Sequence, residues 1–364
     1  MSRRLLVVTQ KVDAEHPVLA QTVDLLRELA ARLDTVDVLC DSIGRHDLPA
    51  NVRLRTFGSR TRLGRGLLFT RALAASLRPR ATRPDAVLVH MVPLFVLLAA
   101  PLVKPLRVPI LLWYTHWNPS RSLRLALPLV DVVLSVSPGS FPLSTPKLQA
   151  TGHAIDVARF APVGPRVERH PGDGLRLLAL GRTARWKGYD TMLDALELAV
   201  ERGCDAHLEI RGPQLTPDEE AHADELRSRV AASERLRTRV ALEPALPREA
   251  LPSLLAGADA LLSATQPRET ETLDKVVYEA AACEVPVVAS NSALAEFLGG
   301  LPLALSFAPR DPDQLADRLL ELAAAAAEVR AATGAELRRR VVSGHSVGSW
   351  ADAVAATVAR LGQE

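Results

Sequence analysis

At 364 residues the chain is long enough for two domains of about 100–200 residues each, and 48% apolar residues exclude a disordered protein. Its three cysteines, Cys40, Cys204 and Cys283, share no short spacing, which excludes a disulfide framework or a zinc site and suits a reducing cytoplasm. The net charge of +2 conceals an asymmetry: residues 1–160 carry 21 Lys+Arg against 11 Asp+Glu (+10), and the remainder carries 23 against 31 (−8).

The N-terminal "MSRRLLVVTQ" has too short an apolar run for a signal peptide and reads as a first buried strand. "HPVLAQTVDLLRELAARLD" follows with apolar residues at helical spacing, then the strands "TVDVLCD" and "VRLRTF". Nine arginines fall between Asp47 and Asp85 with no carboxylate among them. A helix there, in the Arg53–Arg83 region, suits either a solvated face or peripheral contact with an anionic membrane. Nucleic acid is not expected, because aromatics are 4% of the chain and none interleaves with these arginines to stack on bases. "DAVLVHM", an apolar helix, "VPILLWYTH", a short helix, "DVVLSVS" and "KLQATGHAID" complete a first strand–helix series. The apolar run Met91–Val103 has thirteen residues and two prolines, short of the ~18 needed to span a bilayer.

Residues 161–174, "APVGPRVERHPGDG", are rich in Pro and Gly and read as a linker. A second series then alternates "LRLLALG", "YDTMLDALELAVERG", "AHLEIRG", "PDEEAHADELRSRVAAS", "RVALEPAL", "ALLSAT" and "VPVVAS". A long helix is predicted over "DPDQLADRLLELAAAAAEVRAA", and "SVGSWADAVAATVARLG" closes the chain as another. Such alternation predicts α/β architecture with two Rossmann-like, doubly wound domains facing across a cleft. The domains are residues 1–162 and 163–345, with the helix 346–364 packing back on the first. Folds of this kind bind ligands at the carboxyl ends of their strands.

Several motifs have plain structural readings. No GxGxxG follows the first strand. "GHSVG" at 344–348 matches an esterase elbow, yet no histidine follows Ser346, so it reads as a helix N-cap. "DPD" at 311–313 reads as a helix start, and no metal site is expected. In "LLALGRTARWKGYD", Arg182 and Lys187 stand five residues apart on a glycine-flanked loop after a strand, which suits either a diphosphate or an ordinary surface loop. "ETLDKVVYEAAA" opens a helix whose first amides form an anion site, with Glu271 just before it and Glu279 two turns inside. An anion held there would place Glu271 near the group the phosphate carries and Glu279 toward a ribose. His116 follows the apolar run "ILLWYT"; between Asp85 and Asp131 there is no carboxylate, so His90 and His116 are the titratable candidates, with His90 favoured as a packed residue.

Taken in order, "GRTARWKG", the E-x7-E pattern "ETLDKVVYE", "AAACEVPVVAS" and "GHAIDVARFAP" resemble the retaining glycosyltransferases of family four, which have the GT-B fold. "TQKVD" and "LWYTHWNPSRSLRLALPLVDVVLSVS" extend the resemblance to nearly the whole chain. It implies a nucleotide diphosphate sugar as donor, a hydroxyl acceptor of unspecified identity, and no cofactor. Arg182 and Lys187 would bind the diphosphate, Glu271 the transferred sugar and Glu279 the ribose. Backbone amides at Leu273, Asp274 and Lys275 would face sugar and phosphates, His116 would lie near the reacting centre, and the base would rest near Pro244–Leu246. Three features depart from the family: no glycine-rich loop follows the first strand, "ETLDK" lacks small residues, and Glu284 stands where a helix C-cap glycine is usual. A nucleotide-sugar epimerase, with Asp13 and Glu15 as the nearby carboxylates, and a non-catalytic sugar-nucleotide binder are the rival readings.

Overall fold

The computed structural model describes residues 3–16, 19–78, 80–116, 119–164, 174–266 and 274–362. The chain forms two compact units, Met1–Asp156 with Gly344–Glu364, and Val157–Ser343. In chain order the first unit holds β1 (Arg4–Val12), α1 (Gln21–Ala30), β2 (Thr35–Ile43), β3 (Val52–Thr56), α2 (Arg62–Leu77) and β4 (Ala86–His90). It continues with α3 (Pro93–Val103), β5 (Ile110–Trp113), α4 (Arg121–Ala126), β6 (Val132–Ser135) and β7 (Leu148–Ala150). The second unit holds β8 (Leu175–Leu180), α5 (Tyr189–Glu201), β9 (Ala206–Arg211), α6 (Pro217–Ala232), β10 (Val240–Glu243), α7 (Leu251–Ala256) and β11 (Ala260–Ser263). After these come α8 (Lys275–Ala282), β12 (Val287–Ala289), α9 (Ala295–Leu298), α10 (Pro312–Ala324) and α11 (Ala327–Gly344), and α12 (Val347–Leu361) returns to the first unit.

Period-two burial builds the first sheet. Its order is β3-β2-β1-β4-β5-β6-β7, parallel throughout. Leu5 and Val7 of β1 join one core with α1 and α12, while Leu6 and Val8 join the opposite core with α2, α3 and α4. Such strands must be apolar on both faces, and β1 is. Trp350 of α12 meets Trp113 at 4.8 Å between ring centroids, and Phe57, Phe69 and Phe95 pack at 5.2–5.4 Å on the other side.

The second sheet is also parallel, in the order β10-β9-β8-β11-β12. Strand order reverses at β8, which lies between β9 and β11; in the first sheet the same reversal falls between β1 and β4. Crevices open at the carboxyl ends of such strand pairs.

Three predicted elements change. The long helix over 311–332 is two helices, because Ala325 turns extended (ψ 139°) and Arg330 Nη1 donates to the carbonyls of Leu322 and Ala325 at 3.3 and 2.8 Å. Those bonds satisfy the end of α10 from a residue of the next helix, something an alanine-rich sequence does not announce. "KLQATGHAID" forms a strand only over Leu148–Ala150, and "RVALEPAL" only over Val240–Glu243. Both are edge strands with a single neighbour, so pairing ends early.

Local chemistry at helix ends follows the sequence closely. Ser346 caps α12 by accepting from the Ser349 amide at 3.0 Å, and Asp311 caps α10 through the Gln314 amide at 2.9 Å. The "GHSVG" and "DPD" motifs are therefore helix starts.

Candidate functional site

Two glycines shape the carboxyl ends of β8 and β9. A Cβ on Gly212 would lie 1.6 Å from the carbonyl oxygen of Gly181, so these two turns approach more closely than any side chain permits. The Gly181 amide donates to the Arg211 carbonyl at 2.9 Å, and the hydroxyl of the buried Tyr189 donates to the Gly181 carbonyl at 2.9 Å. Gly188 (φ 71°) ends the loop, and a Cβ there would meet the Ala264 carbonyl at 2.1 Å. The loop after β8 is thus pressed against the end of β11.

Lys187 is carried by this loop into the space above Gly181, whose absent Cβ would come within 3.3 Å of the Lys187 Nζ. Its ammonium forms an ion pair with Asp274, and the two side chains are only 10% and 11% exposed. The other carboxylate oxygen of Asp274 accepts from Thr265 Oγ1 at 2.6 Å and lies 3.3 Å from Ser263 Oγ. Lys187 therefore comes from the strand on one side of the switch point, and Asp274, Thr265 and Ser263 from the other.

Asp274 is the N-cap residue of α8, yet its side chain caps no amide of that helix. Aspartate at this position ordinarily accepts from the second or third helical amide. Here it turns to Lys187 instead, and the start of α8 receives no carboxylate from it.

Arg182 is exposed and pairs with Glu219 at 2.5 Å. Glu219 is buried in the first turn of α6, where its amide donates to Thr216 Oγ1 at 3.3 Å and its other carboxylate oxygen accepts from the Leu215 amide at 2.7 Å. A carboxylate at a helix N-terminus is stabilised by the partial positive charge there. Glu279, buried on α8, pairs with Arg248 at 3.3 Å, and the Arg248 guanidinium lies 5.3 Å from the Phe160 ring centre. Leu246, half-buried, stands two residues before Arg248.

In the first unit, His116 is exposed three residues past β5, and its ring centre is 6.3 Å from that of Tyr114. His90, at the end of β4, is held differently. Its Nδ1 is 2.9 Å from Thr9 Oγ1 near the end of β1, and its ring stacks on Trp113 at 5.1 Å. Asp13 is committed locally: it pairs with Lys11 at 3.1 Å and accepts from the amides of Glu15 and Arg45. The Glu15 amide, then Lys11, hold its carboxyl below the usual range.

The predicted residues Lys187, Asp274, Lys275 and Glu279 thus share the β8/β11 crevice and α8, with Arg182 on the same loop as Lys187. Glu271 and Leu273 lie outside the described residues. Sequence reasoning missed Glu219 and Arg248 as partners and assigned Asp274 only a backbone role. A signal existed for the first two: Thr216-x-x-Glu219 is a capping-box spacing, and Arg248 is the one cation in residues 244–259. Among the described residues, no group of three or more His, Cys, Asp or Glu is placed to hold a metal ion.

Residues 174–325 match the family model described as Glycosyl transferases group 1. The mannosylfructose-phosphate synthase of Agrobacterium fabrum is 28% identical over 194 residues, 51% of this chain and 40% of that protein, so the match spans less than half of the relative's length. Among solved structures, Anabaena HepE in complex with UDP-glucose superposes with a TM-score of 0.71 at 18% identity, covering 98% of this chain and 99% of that one. The sucrose-phosphate synthase of Thermosynechococcus elongatus gives 0.71 at 17% identity over 99% of both chains, and a glycosyltransferase from Rickettsia africae gives 0.74 at 13% over 99% and 98%. At these identities the likeness establishes the fold: two parallel-sheet α/β domains of the GT-B type.

Proposed function

We propose that this protein is a glycosyltransferase of the family-four type that moves a sugar from a nucleoside diphosphate sugar to a hydroxyl acceptor with retention of anomeric configuration. The observation that carries the proposal is the meeting of Lys187 with the start of α8 at the β8/β11 switch point, inside the segment that matches the group 1 model. A buried cation beside a helix N-terminus, at the carboxyl ends of parallel strands, is suited to a diphosphate. Lys187 and Arg182 stabilise the departing nucleoside diphosphate, and the amides of Leu273, Asp274 and Lys275 face its phosphates and the sugar. Electrostatic stabilisation of the leaving group supplies most of the rate in this reading, without a metal ion. Glu279, fixed by Arg248, takes the ribose hydroxyls; Glu271 holds hydroxyls of the transferred sugar; the base rests near Leu246; and His116 keeps the catalytic role that the family resemblance implies for it.

Epimerisation is less well supported, since Asp13 is a low-pKa carboxyl tied to two backbone amides and Glu15 pairs with Arg45. Calorimetric titration with uridine, guanosine and adenosine diphosphates and their sugars, followed by turnover with candidate acceptors, tests the main reading. Lys187→Ala is expected to lower turnover at least about a hundredfold, the scale of one lost transition-state donor. Turnover within a few-fold of wild type would remove Lys187 from the chemistry.

We also propose peripheral membrane contact, at a cytoplasmic surface, and a specific observation supports the contact itself. On α2, Leu63, Leu67 and Leu68 are 89%, 71% and 42% exposed, beside Arg62, Arg65 and Arg71. Apolar side chains among arginines suit an anionic lipid interface. Vesicles containing phosphatidylserine are expected to bind the protein at moderate salt and to lose it with Leu63→Ser/Leu67→Ser; equal binding to neutral vesicles would count against the proposal. Among the described residues no helix is long and apolar enough to cross a membrane.

A further inference from the structure

Resting on the donor-site reading above, we infer that Asp274 is an internal competitor for Lys187, a carboxylate that a donor's phosphate must displace. Three observations converge on it. The Lys187 side chain is nine-tenths buried, and its ammonium is paired with Asp274. The same carboxylate is seated by the Thr265 hydroxyl at 2.6 Å, with the Ser263 hydroxyl at 3.3 Å, so it is placed rather than free to swing. It also declines the capping role its N-cap position offers. The result is an anion fixed on the crevice cation, at the mouth of a helix whose amides favour anions.

A diphosphate and a carboxylate make the same demand on Lys187: negatively charged oxygens at hydrogen-bond distance from one ammonium. When phosphate oxygens arrive, Asp274 must release Lys187 and is left as a like charge nearby. Both steps weaken binding. Asp274 therefore lowers affinity for every nucleoside diphosphate by a similar factor, and its cost is best offset by ligands that also engage Arg182 and the α8 amides.

The test measures dissociation constants of UDP, GDP and ADP, using the full-length parent protein and its Asp274→Asn, Lys187→Ala and Lys187→Ala/Asp274→Asn variants. For the nucleotide that binds best, Asp274→Asn is expected to bind roughly tenfold more tightly, the scale of one charge-assisted contact no longer competed for. Lys187→Ala is expected to weaken binding, and in that background the Asp274→Asn substitution should have little further effect. Should Asp274→Asn leave the affinity unchanged or weaken it while Lys187→Ala weakens binding, the competitor is disproved and the donor site stands. Should Lys187→Ala bind as tightly as the parent protein, the donor site itself falls and the competitor with it. Because Asp274→Asn leaves Lys187 without its counter-charge, folding is checked by circular dichroism melting. If that variant is unfolded, Asp274→Gly, which removes the carboxylate together with its side chain, is measured in its place against the same two outcomes.

Discussion

Glu284 supplies a quantitative test of backbone energetics at the helix that carries the candidate site. Helix α8 ends in a Schellman motif: the Val285 amide donates to the Ala280 carbonyl and the Glu284 amide to the Ala281 carbonyl, both at 3.0 Å. This motif requires a left-handed residue at the position after the cap, and Glu284 has φ 64°. Helix α5 ends in the same way. There the Cys204 amide donates to Ala199 at 2.9 Å and the Gly203 amide to Val200 at 3.0 Å, with Gly203 at φ 89° and open space where a Cβ would go. The two sites therefore form a matched pair, one obeying the glycine preference and one violating it. A non-glycine residue held left-handed costs about 1 kcal/mol more than glycine. Comparing glycine with alanine at each site isolates that term from the Glu284 side chain's own interactions. The Glu284→Gly variant is expected to be about 1 kcal/mol more stable than Glu284→Ala, and Gly203→Ala about 1 kcal/mol less stable than the parent protein. The assay is urea denaturation followed by circular dichroism, fitted to the transition that responds to these substitutions, with unchanged m-values required. A glycine–alanine difference below about 0.3 kcal/mol at position 284, with the full effect at 203, would refute the assignment of the cost to backbone conformation.

Other expectations follow from the same geometry. Gly212→Ala places a methyl 1.6 Å from the Gly181 carbonyl, so it is expected to destabilise the second unit by about 3 kcal/mol or more and to abolish nucleotide binding; a melting temperature within about 2 °C of the parent would show that the turns can part. His345 is largely buried, and burial lowers its pKa from 6.5 to about 4, so unfolding takes up a proton between those values. Stability of the first unit is thus expected to be fully present above pH 6.5 and to fall, by up to about 3 kcal/mol, as pH drops toward 4; His345→Asn should flatten that slope in denaturation curves. Ser346→Ala should cost about 1 kcal/mol through loss of the α12 cap, without altering transferase turnover, as denaturation and activity measured side by side would show. Arg248→Ala should raise the Michaelis constant for the donor more than it lowers kcat, because Arg248 orients Glu279, which is read as a ribose contact; an unchanged donor constant would argue against that role.

Much of this protein was determined locally and is therefore readable along the chain. The alternation of Leu5, Leu6, Val7 and Val8 between two cores, the caps at Asp311 and Ser346, and the unfavourable Glu284 each depend on residues a few positions apart. Interactions at short separation leave a spacing in the sequence. The break at Ala325 left none, because alanine tolerates either continuation and the bonds from Arg330 decided it. In the candidate site, Arg182, Lys187 and Glu279 could be singled out along the chain, and their pairing could not. Lys187 meets Asp274 across 87 residues, and Arg182 meets Glu219 across α5, β9 and the start of α6. Those pairs exist because β8 is hydrogen-bonded to β9 on one side and β11 on the other, an order that strand sequences alone do not encode. The sequence supplied the charges and the glycines that let them approach; the order of the strands chose which charge each one faces.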